Sequence, residues 1–448
     1  MNQEFKDAKR NNPAVSGYDS KAWIVSVNMG YGHQRTAYPL KDLAFLGKVI
    51  NANDYLGIPE KDRKIWKGVQ KSYEFISRLK RVPLLGNLAF SIFDAFQKIL
   101  TFYPERDLSQ PNFTLKQIYS ALKNGWGEDL VERLESNPLP LISTFFTPAF
   151  MAEFFNYPGP VFLVVCDADI ARTWAPLNPK ISKIKYFAPT QRVVKRLELY
   201  GVKKENIILS GYPLPQENIS ANLQAGGLEI LKKDLKYRLL NLDPQKKYFE
   251  KYKILIEKHL GILPKSSDHP LTIMFAVGGA GAQKEIGVKI LKSLSRKIKA
   301  RQVKVILAAG TKEKVKEYFK KNIEKLGLNE SIEILFEKNI ESYFQKFNQA
   351  LRKTDILWTK PSELSFYSAL GLPIIIAPQI GSQEEFNKRW LLRSGFGIFQ
   401  ENPNYTDQWL FDWLEQGYLA EAAMQAFIEG EKLGTFNIQK TISNLCCG

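Results

Sequence analysis

The sequence predicts an α/β chain built as two facing Rossmann-like domains with a cleft between them. Three observations predict it. Short apolar runs alternate with helical patterns through both halves, as in parallel βαβ units. Each run is apolar on both faces, as strands covered by helices on both sides must be. The 448 residues also exceed one ordinary core and suit two domains of roughly 200 residues each.

In the first half the expected strands are Trp23–Val27, Leu141–Thr144, Val161–Cys166 and Ile207–Ser210. In the second they are Leu271–Val277, Val303–Ala308, Ile332–Phe336, Asp355–Trp358 and Pro373–Ala377. Between them Gln216–Pro270 is Lys-rich, helix-prone and poor in strand signals. The expected organisation is therefore an N-terminal domain over 1–215, a helical linker or insertion over 216–270, a C-terminal domain over 271–400 and a helical tail over 401–448. In the tail, Trp409, Leu410, Trp413 and Leu414 sit at helical spacing, and Ala420 to Ile428 continues the pattern. A ligand between two such halves belongs at the carboxyl ends of their strands.

A hydrophobic share of 44% and a charged share of 24% exclude a disordered or fibrous chain. Cys166, Cys446 and Cys447 form neither a disulfide framework nor a zinc pattern, which indicates a reducing compartment. Met1–Ser20 has no apolar core of a secretory leader, and no stretch reaches the ~20 apolar residues of a membrane span. The net charge of +17 requires an anionic partner or a lysine-rich solvated surface such as Lys312–Lys321. No zinc finger, RNP motif or basic recognition helix accompanies it, so nucleic acid is not expected.

Three clusters carry the chemistry. The run Ser26-Val27-Asn28-Met29-Gly30-Tyr31-Gly32-His33 follows an apolar strand and precedes a helical pattern (Thr36, Ala37, Leu40, Leu43, Ala44). Gly30 and Gly32 permit a tight turn, and a helix N-terminus favours negative charge. His33, one of three histidines, can orient or deprotonate a hydroxyl near neutral pH; a histidine capping its own helix is the plainer reading. The run Val277-Gly278-Gly279-Ala280-Gly281-Ala282-Gln283 likewise joins a strand to a helix (Ile286, Ile290, Leu291, Leu294). Its small residues let backbone N–H groups wrap a diphosphate, and it is not a P-loop. The third cluster is Thr359-Lys360-Pro361-Ser362-Glu363, then Gly371-Leu372-Pro373, then Gly381-Ser382-Gln383-Glu384-Glu385-Phe386-Asn387. Carboxylates and amides there suit the vicinal diols of a sugar or ribose, against a plainer role as helix caps.

With Leu141–Thr144, Val165-Cys166-Asp167-Ala168-Asp169, Phe187-Ala188-Pro189-Thr190 and Ser210-Gly211-Tyr212-Pro213, the first and third clusters resemble the monogalactosyldiacylglycerol synthase and processive diacylglycerol glucosyltransferase group, and more distantly the MurG transferase. The resemblance runs over roughly Trp23 to Gly397. It implies a GT-B fold, a nucleotide-diphosphate sugar (UDP-sugar favoured) as co-substrate, inversion at the anomeric carbon, no bound cofactor and no metal. The group has three glycines before its histidine, where this chain has Met29-Gly30-Tyr31-Gly32. It also has a glutamate five residues before the Gly of Gly-Leu-Pro, where this chain has Phe366.

The reading that follows is a hexose transfer to an acceptor hydroxyl, a lipid such as diacylglycerol. The diphosphate rests on Gly278, Gly279, Ala280 and Gly281, with Lys360 adding positive charge. Glu363 substitutes for the ribose acid beside Ser362, and Gln383, Glu384 and Asn387 serve the sugar. Gly30, Gly32 and Asp167 lie on the acceptor side. The base is His33 or Asp169; Asp167 and Asp169 alternate at a strand end, so one of them faces the cleft. The alternatives are a soluble or peptidoglycan-type acceptor, a degenerate, non-catalytic nucleotide-binding or scaffold protein, and an epimerase of the same architecture, which would need acid–base carboxylates around the sugar that the sequence does not assign. An apolar helix face over Leu85–Leu100, preceded by Lys64, Lys67, Lys71, Arg78, Lys80 and Arg81, predicts a peripheral seat on the anionic cytoplasmic face of a membrane.

Overall fold

The computed structural model describes residues 21–79, 99–221, 227–279, 281–328, 332–379 and 381–446. The expected membrane-facing stretch Leu85–Leu100 lies outside the described residues except for Ile99 and Leu100, as do Ala280 and the last two residues. Among the described residues no helix is long and apolar enough to cross a membrane.

The first sheet is built from β1 (Ala22–Ser26), β2 (Ala44–Asn51), β3 (Leu141–Ser143), β4 (Val161–Val164), β5 (Lys185–Ala188) and β6 (Ile207–Leu209). All are parallel, in the order β2-β1-β3-β4-β5-β6. Its central strands β1, β3 and β4 are buried along their whole length, as their uninterrupted apolar runs require. The helices of this domain include α1 (Tyr31–Ala37), α2 (Glu60–Leu79), α3 (Phe113–Lys123), α4 (Glu128–Glu135), α5 (Phe146–Phe154) and α6 (Gln191–Leu199).

Two sequence readings are corrected here. The helical pattern after the first glycine turn ends at Ala37. Pro39 opens a 3-10 turn over Tyr38–Leu43, and Ala44, read as helical, begins β2. The edge strand β2 keeps seven of its eight residues partly or fully open to solvent and carries Gly47, so it lacks the unbroken buried run of the central strands. Strand β5, four residues long, was read only as part of a motif.

Helices α7 (Glu229–Leu242) and α8 (Lys247–Leu260) occupy the lysine-rich stretch. The second sheet comprises β7 (Leu271–Ala276), β8 (Val303–Gly310), β9 (Ile332–Phe336), β10 (Ile356–Thr359), β11 (Ile374–Ile376) and β12 (Gly397–Phe399). It is parallel throughout, in the order β12-β11-β10-β7-β8-β9. Between its strands lie α9 (Lys284–Lys299), α10 (Glu313–Leu326), α11 (Ile340–Leu351) and α12 (Ser382–Ser394). Two facing Rossmann-like domains of this kind make the GT-B architecture. The strand order reverses between β1 and β3 in one sheet and between β7 and β10 in the other, and crevices at such switch points receive ligands.

The tail is helical: α13 (Thr406–Gln416), α14 (Tyr418–Glu429) and α15 (Gly434–Cys446). Helix α14 packs on α7 and α8. Helix α15 crosses back to the first domain, where Ile438 and Ile442 complete an apolar cluster with Ile24, Ile142, Phe162 and Phe187. Asn437 Nδ2 donates to the Ser210 carbonyl at 2.8 Å, and Thr435 Oγ1 donates to the Leu214 carbonyl at 2.5 Å. The two chain crossings touch each other at Gly211 and Gly434. A Cβ on Gly434 would overlap the Tyr212 carbonyl, and Gly211 has φ of 80°, so both positions need glycine.

Candidate functional site

Both glycine turns lie at the carboxyl ends of the first strands of their sheets, and they meet across the cleft. A Cβ on Gly279 would stand 3.1 Å from the Tyr31 backbone nitrogen and 3.5 Å from Gly30 Cα. Tyr31 reaches over Gly310, where an added Cβ would overlap its ring hydroxyl. That hydroxyl lies 3.0 Å from Thr311 Oγ1 and accepts from the Thr311 N–H at 2.7 Å. The Tyr31 ring packs on Tyr343 and Phe344 at centroid distances of 5.6 and 6.3 Å.

His33 stands in the first turn of α1 without capping it. Its Nδ1 lies 2.8 Å from the Thr144 carbonyl and 3.5 Å from Cys166 Sγ. Phe145 packs edge-on at 4.7 Å, with Trp174 beyond at 6.3 Å. Burial lowers its pKa to about 4, against the opposing pull of the Thr144 carbonyl and Glu363. A neutral imidazole beside a carbonyl carries its proton on Nδ1, which leaves the Nε2 lone pair as the acceptor. The ring is thus held in the tautomer a general base requires.

The two aspartates after β4 separate as their alternation predicts. Asp169 is 5% exposed, pairs with Arg196 through both oxygens at 2.8 Å and accepts from the Ile170 N–H. Its carboxylate is fully engaged inside the first domain. Asp167 instead faces the second domain and accepts from Asn387 Nδ2 at 3.0 Å. Burial pushes its pKa up to about 6, with Glu363 and Glu384 adding and the Asn387 hydrogen bond and Lys360 opposing. Asn387, on α12, also accepts from the Ala168 N–H at 2.8 Å, so it ties the domains together.

Of the donor-side residues, Lys360 lies across Gly278, leaving no room for a Cβ there, and pairs with Glu384. Gln283 caps α9 from the left-handed region at φ 63° and donates to the Pro378 carbonyl at 2.6 Å. Ser362 precedes the 3-10 turn Glu363–Leu370 and makes no side-chain cap to it. Gln383 sits in the first turn of α12, partly exposed. Gly281 (φ 68°) turns the second glycine loop toward α10, where a Cβ would meet Val315.

Glu363 looks toward the first domain. Its Oε2 borders Gly32, and its Oε1 accepts from Arg35 Nε at 3.3 Å. Arg35 is 2% exposed and enters an aromatic box of the second domain, 4.3 Å from the Phe347 ring centroid and 4.6 Å from Phe344, with Tyr343 and Tyr367 at 5.8 Å. Such cation–π contacts strengthen when desolvated. Its Nη1 has no hydrogen-bond partner. Phe366, at the place of the group's glutamate, stacks on Tyr212 at 4.7 Å and packs on Trp390 at 5.0 Å.

Tyr31, Arg35 and Thr311 escaped the sequence reading. An arginine on a short helix looks solvated. Its receptor gave no signal either: Tyr343, Phe344 and Phe347 fall at i, i+1 and i+4 on α11, the ordinary width of a core-facing stripe. No group of three His, Cys, Asp or Glu side chains that could hold a metal gathers among the described residues.

The family model that matches is described as a domain of unknown function (DUF6938) and covers residues 262–331. No curated protein matches the chain. Among solved structures, Acinetobacter baumannii MurG is similar at 11% identity and a TM-score of 0.47, over 95% of this chain and 99% of that one. A Rickettsia africae glycosyltransferase is similar at 14% and 0.42, over 96% and 99%. The UDP co-structure of S. aureus MnaA is similar at 13% and 0.43, over 71% and 78%.

Proposed function

We propose that this protein is an inverting glycosyltransferase that moves a hexose from a nucleotide-diphosphate sugar to a lipid hydroxyl such as that of diacylglycerol. One observation carries the reading: a neutral histidine of fixed tautomer stands at the mouth of one glycine turn, directly opposite a second glycine turn that opens a long helix. In this reading the acceptor hydroxyl gives its proton to His33 Nε2, and its oxygen bonds to the anomeric carbon. The bond from that carbon to the diphosphate oxygen breaks, and the electron pair leaves with the diphosphate. Backbone N–H groups of Gly278, Gly279 and Gln283, the N-terminus of α9 and Lys360 receive the departing charge. Asp169 is already committed to Arg196, which favours His33 as the base. Donor entry requires the Tyr31 ring to leave Gly310 and Thr311, so the reaction is coupled to opening of the domains.

The engaged Glu363 and the stacked Phe366 favour a second reading, a non-catalytic nucleotide-binding protein. A thermal-shift screen of UDP, GDP, ADP, TDP and their sugars separates the two from a protein that binds none. A ligand at 100 times its dissociation constant stabilises the fold by ~2.7 kcal/mol. Selective stabilisation by one nucleotide, with sugar transfer lowered ~10²–10⁴-fold in His33→Asn and the donor shift retained, is the expected result. Stabilisation without turnover on any lipid or soluble acceptor selects the second reading, and no response to any nucleotide overturns both.

A further inference from the structure

We infer that the α7–α8 face is a second docking surface, one that seats the protein on an anionic phospholipid leaflet; this deepens the lipid-acceptor reading and rests on it. The segment from Glu229 to Lys265 holds nine lysines against five carboxylates; three of the five are held within the fold, and a fourth, Glu257, lies 3.9 Å from Lys253. Glu229 accepts from Ser220 Oγ and the Ala221 N–H, Asp234 pairs with Arg352, and Asp243 accepts from the Tyr248 and Phe249 N–H groups at the start of α8. Glu229 keeps its charge at the edge of the groove, but the segment's nine lysines still exceed its five carboxylates by four.

Lys232, Lys233 and Lys236 line a groove whose opposite wall is Leu260, Ile262, Leu263 and Pro264. The Lys236 ammonium reaches to 3.7 Å of a Cβ built on Gly261, just past the end of α8. Ile262 is 83% exposed on the groove's rim, and Ile254 is 85% exposed on α8. Ile254, Leu255 and Lys258 share the solvent side of that helix at i, i+1 and i+4, while Tyr248, Ile256 and Leu260 turn inward.

Aliphatic tips among lysines match a leaflet rather than the other polyanions. The tips enter the acyl boundary while flexible lysine stems hold their ammonium groups at the phosphates. A nucleic acid would call for several aromatic or guanidinium groups that stack on bases; the groove has one half-buried ring, Tyr237, and the exposed large apolar residues of the face are Ile254, Leu255 and Ile262.

The test is co-sedimentation of the full chain with phosphatidylcholine vesicles, with and without an anionic phospholipid. The variants are Lys232→Ala/Lys233→Ala/Lys236→Ala and Ile254→Ser/Ile262→Ser, whose side chains stand outside the nucleotide cleft. Expected is binding to anionic vesicles only, weakened by salt, and about 100-fold weaker in the triple lysine variant at ~1 kcal/mol per lysine. Unchanged melting temperature and donor shift show that the variants are folded. Anionic-vesicle binding undiminished in both variants overturns the inference, as does binding to RNA or DNA with the same lysine dependence and none to vesicles. No vesicle binding with the donor shift intact also overturns it, and leaves the nucleotide-sugar reading standing. Vesicle binding that fails in the variants while no nucleotide stabilises the fold supports this surface and sinks that reading instead.

Discussion

Between pH 4 and 6 two cleft residues act on stability with opposite sign, and replacing either one uncovers the other. His33 titrates at about 4 when folded against an ordinary 6.5, so within that interval the unfolded chain binds the proton and the folded chain does not. Stability attributable to His33 therefore rises with pH across the window, by ~3 kcal/mol at 1.36 kcal/mol per unit. Asp167 titrates at about 6 when folded against an ordinary 3.8, so the folded chain is now the one that binds the proton. Its contribution is fully present below the ordinary value and falls by ~3 kcal/mol as pH climbs through about 6. In the wild type the two slopes nearly cancel. Asp167→Asn removes the falling term, so its advantage over wild type grows from pH 4 to 6, with Asn387 keeping an acceptor. His33→Asn removes the rising term and diverges the other way. Urea titrations of the three proteins at pH 4, 5, 6 and 7 measure this as differences, in which carboxylates common to all three drop out. Difference profiles that are flat, or that slope the same way for both variants, refute the reasoning.

The Arg35–Glu363 contact is the strongest candidate for what holds the domains shut. Glu363→Gln leaves a guanidinium buried among rings without its carboxylate and is expected to cost ~3 kcal/mol or more, whereas Arg35→Met/Glu363→Gln recovers most of it; a double-mutant cycle in urea, with coupling below ~0.5 kcal/mol as the contrary outcome, decides. Gly310→Ala places a side chain at φ 69° against the Tyr31 hydroxyl and should lower the melting temperature. In a Tyr31→Ala background only the left-handed backbone term of ~1–2 kcal/mol should remain, and an undiminished penalty there would show that the ring contact is not what Gly310 serves.

The parallel sheets were legible because each buried strand is an unbroken apolar run. Strands β2 and β12 were not, since β2 is an edge strand with open positions and β12 has three residues, one of them Gly397. The glycine turns and His33 were readable from their place between strand and helix. Their partners were not, because Thr144 offers only its backbone carbonyl and Arg35 meets Glu363 from more than three hundred residues away. Nothing local marks such pairs. Glu363 was read as a ribose ligand from its place after β10, a position that fixes where the backbone goes but not that Arg35 arrives from the other domain.

The return of α15 to the first sheet has a consequence for the order in which the chain can become native. Ile24, Ile142, Phe162 and Phe187 are all synthesised before β6 ends, yet Ile438 and Ile442, which close over them, arrive roughly 230 residues later, a delay on the order of tens of seconds at typical synthesis rates. The first domain therefore leaves the ribosome with an apolar strip uncovered and waits for the whole second domain before it is complete. During that interval the strip is open to chaperones and to neighbouring nascent chains, and a stop codon placed after α14 would leave it open for good.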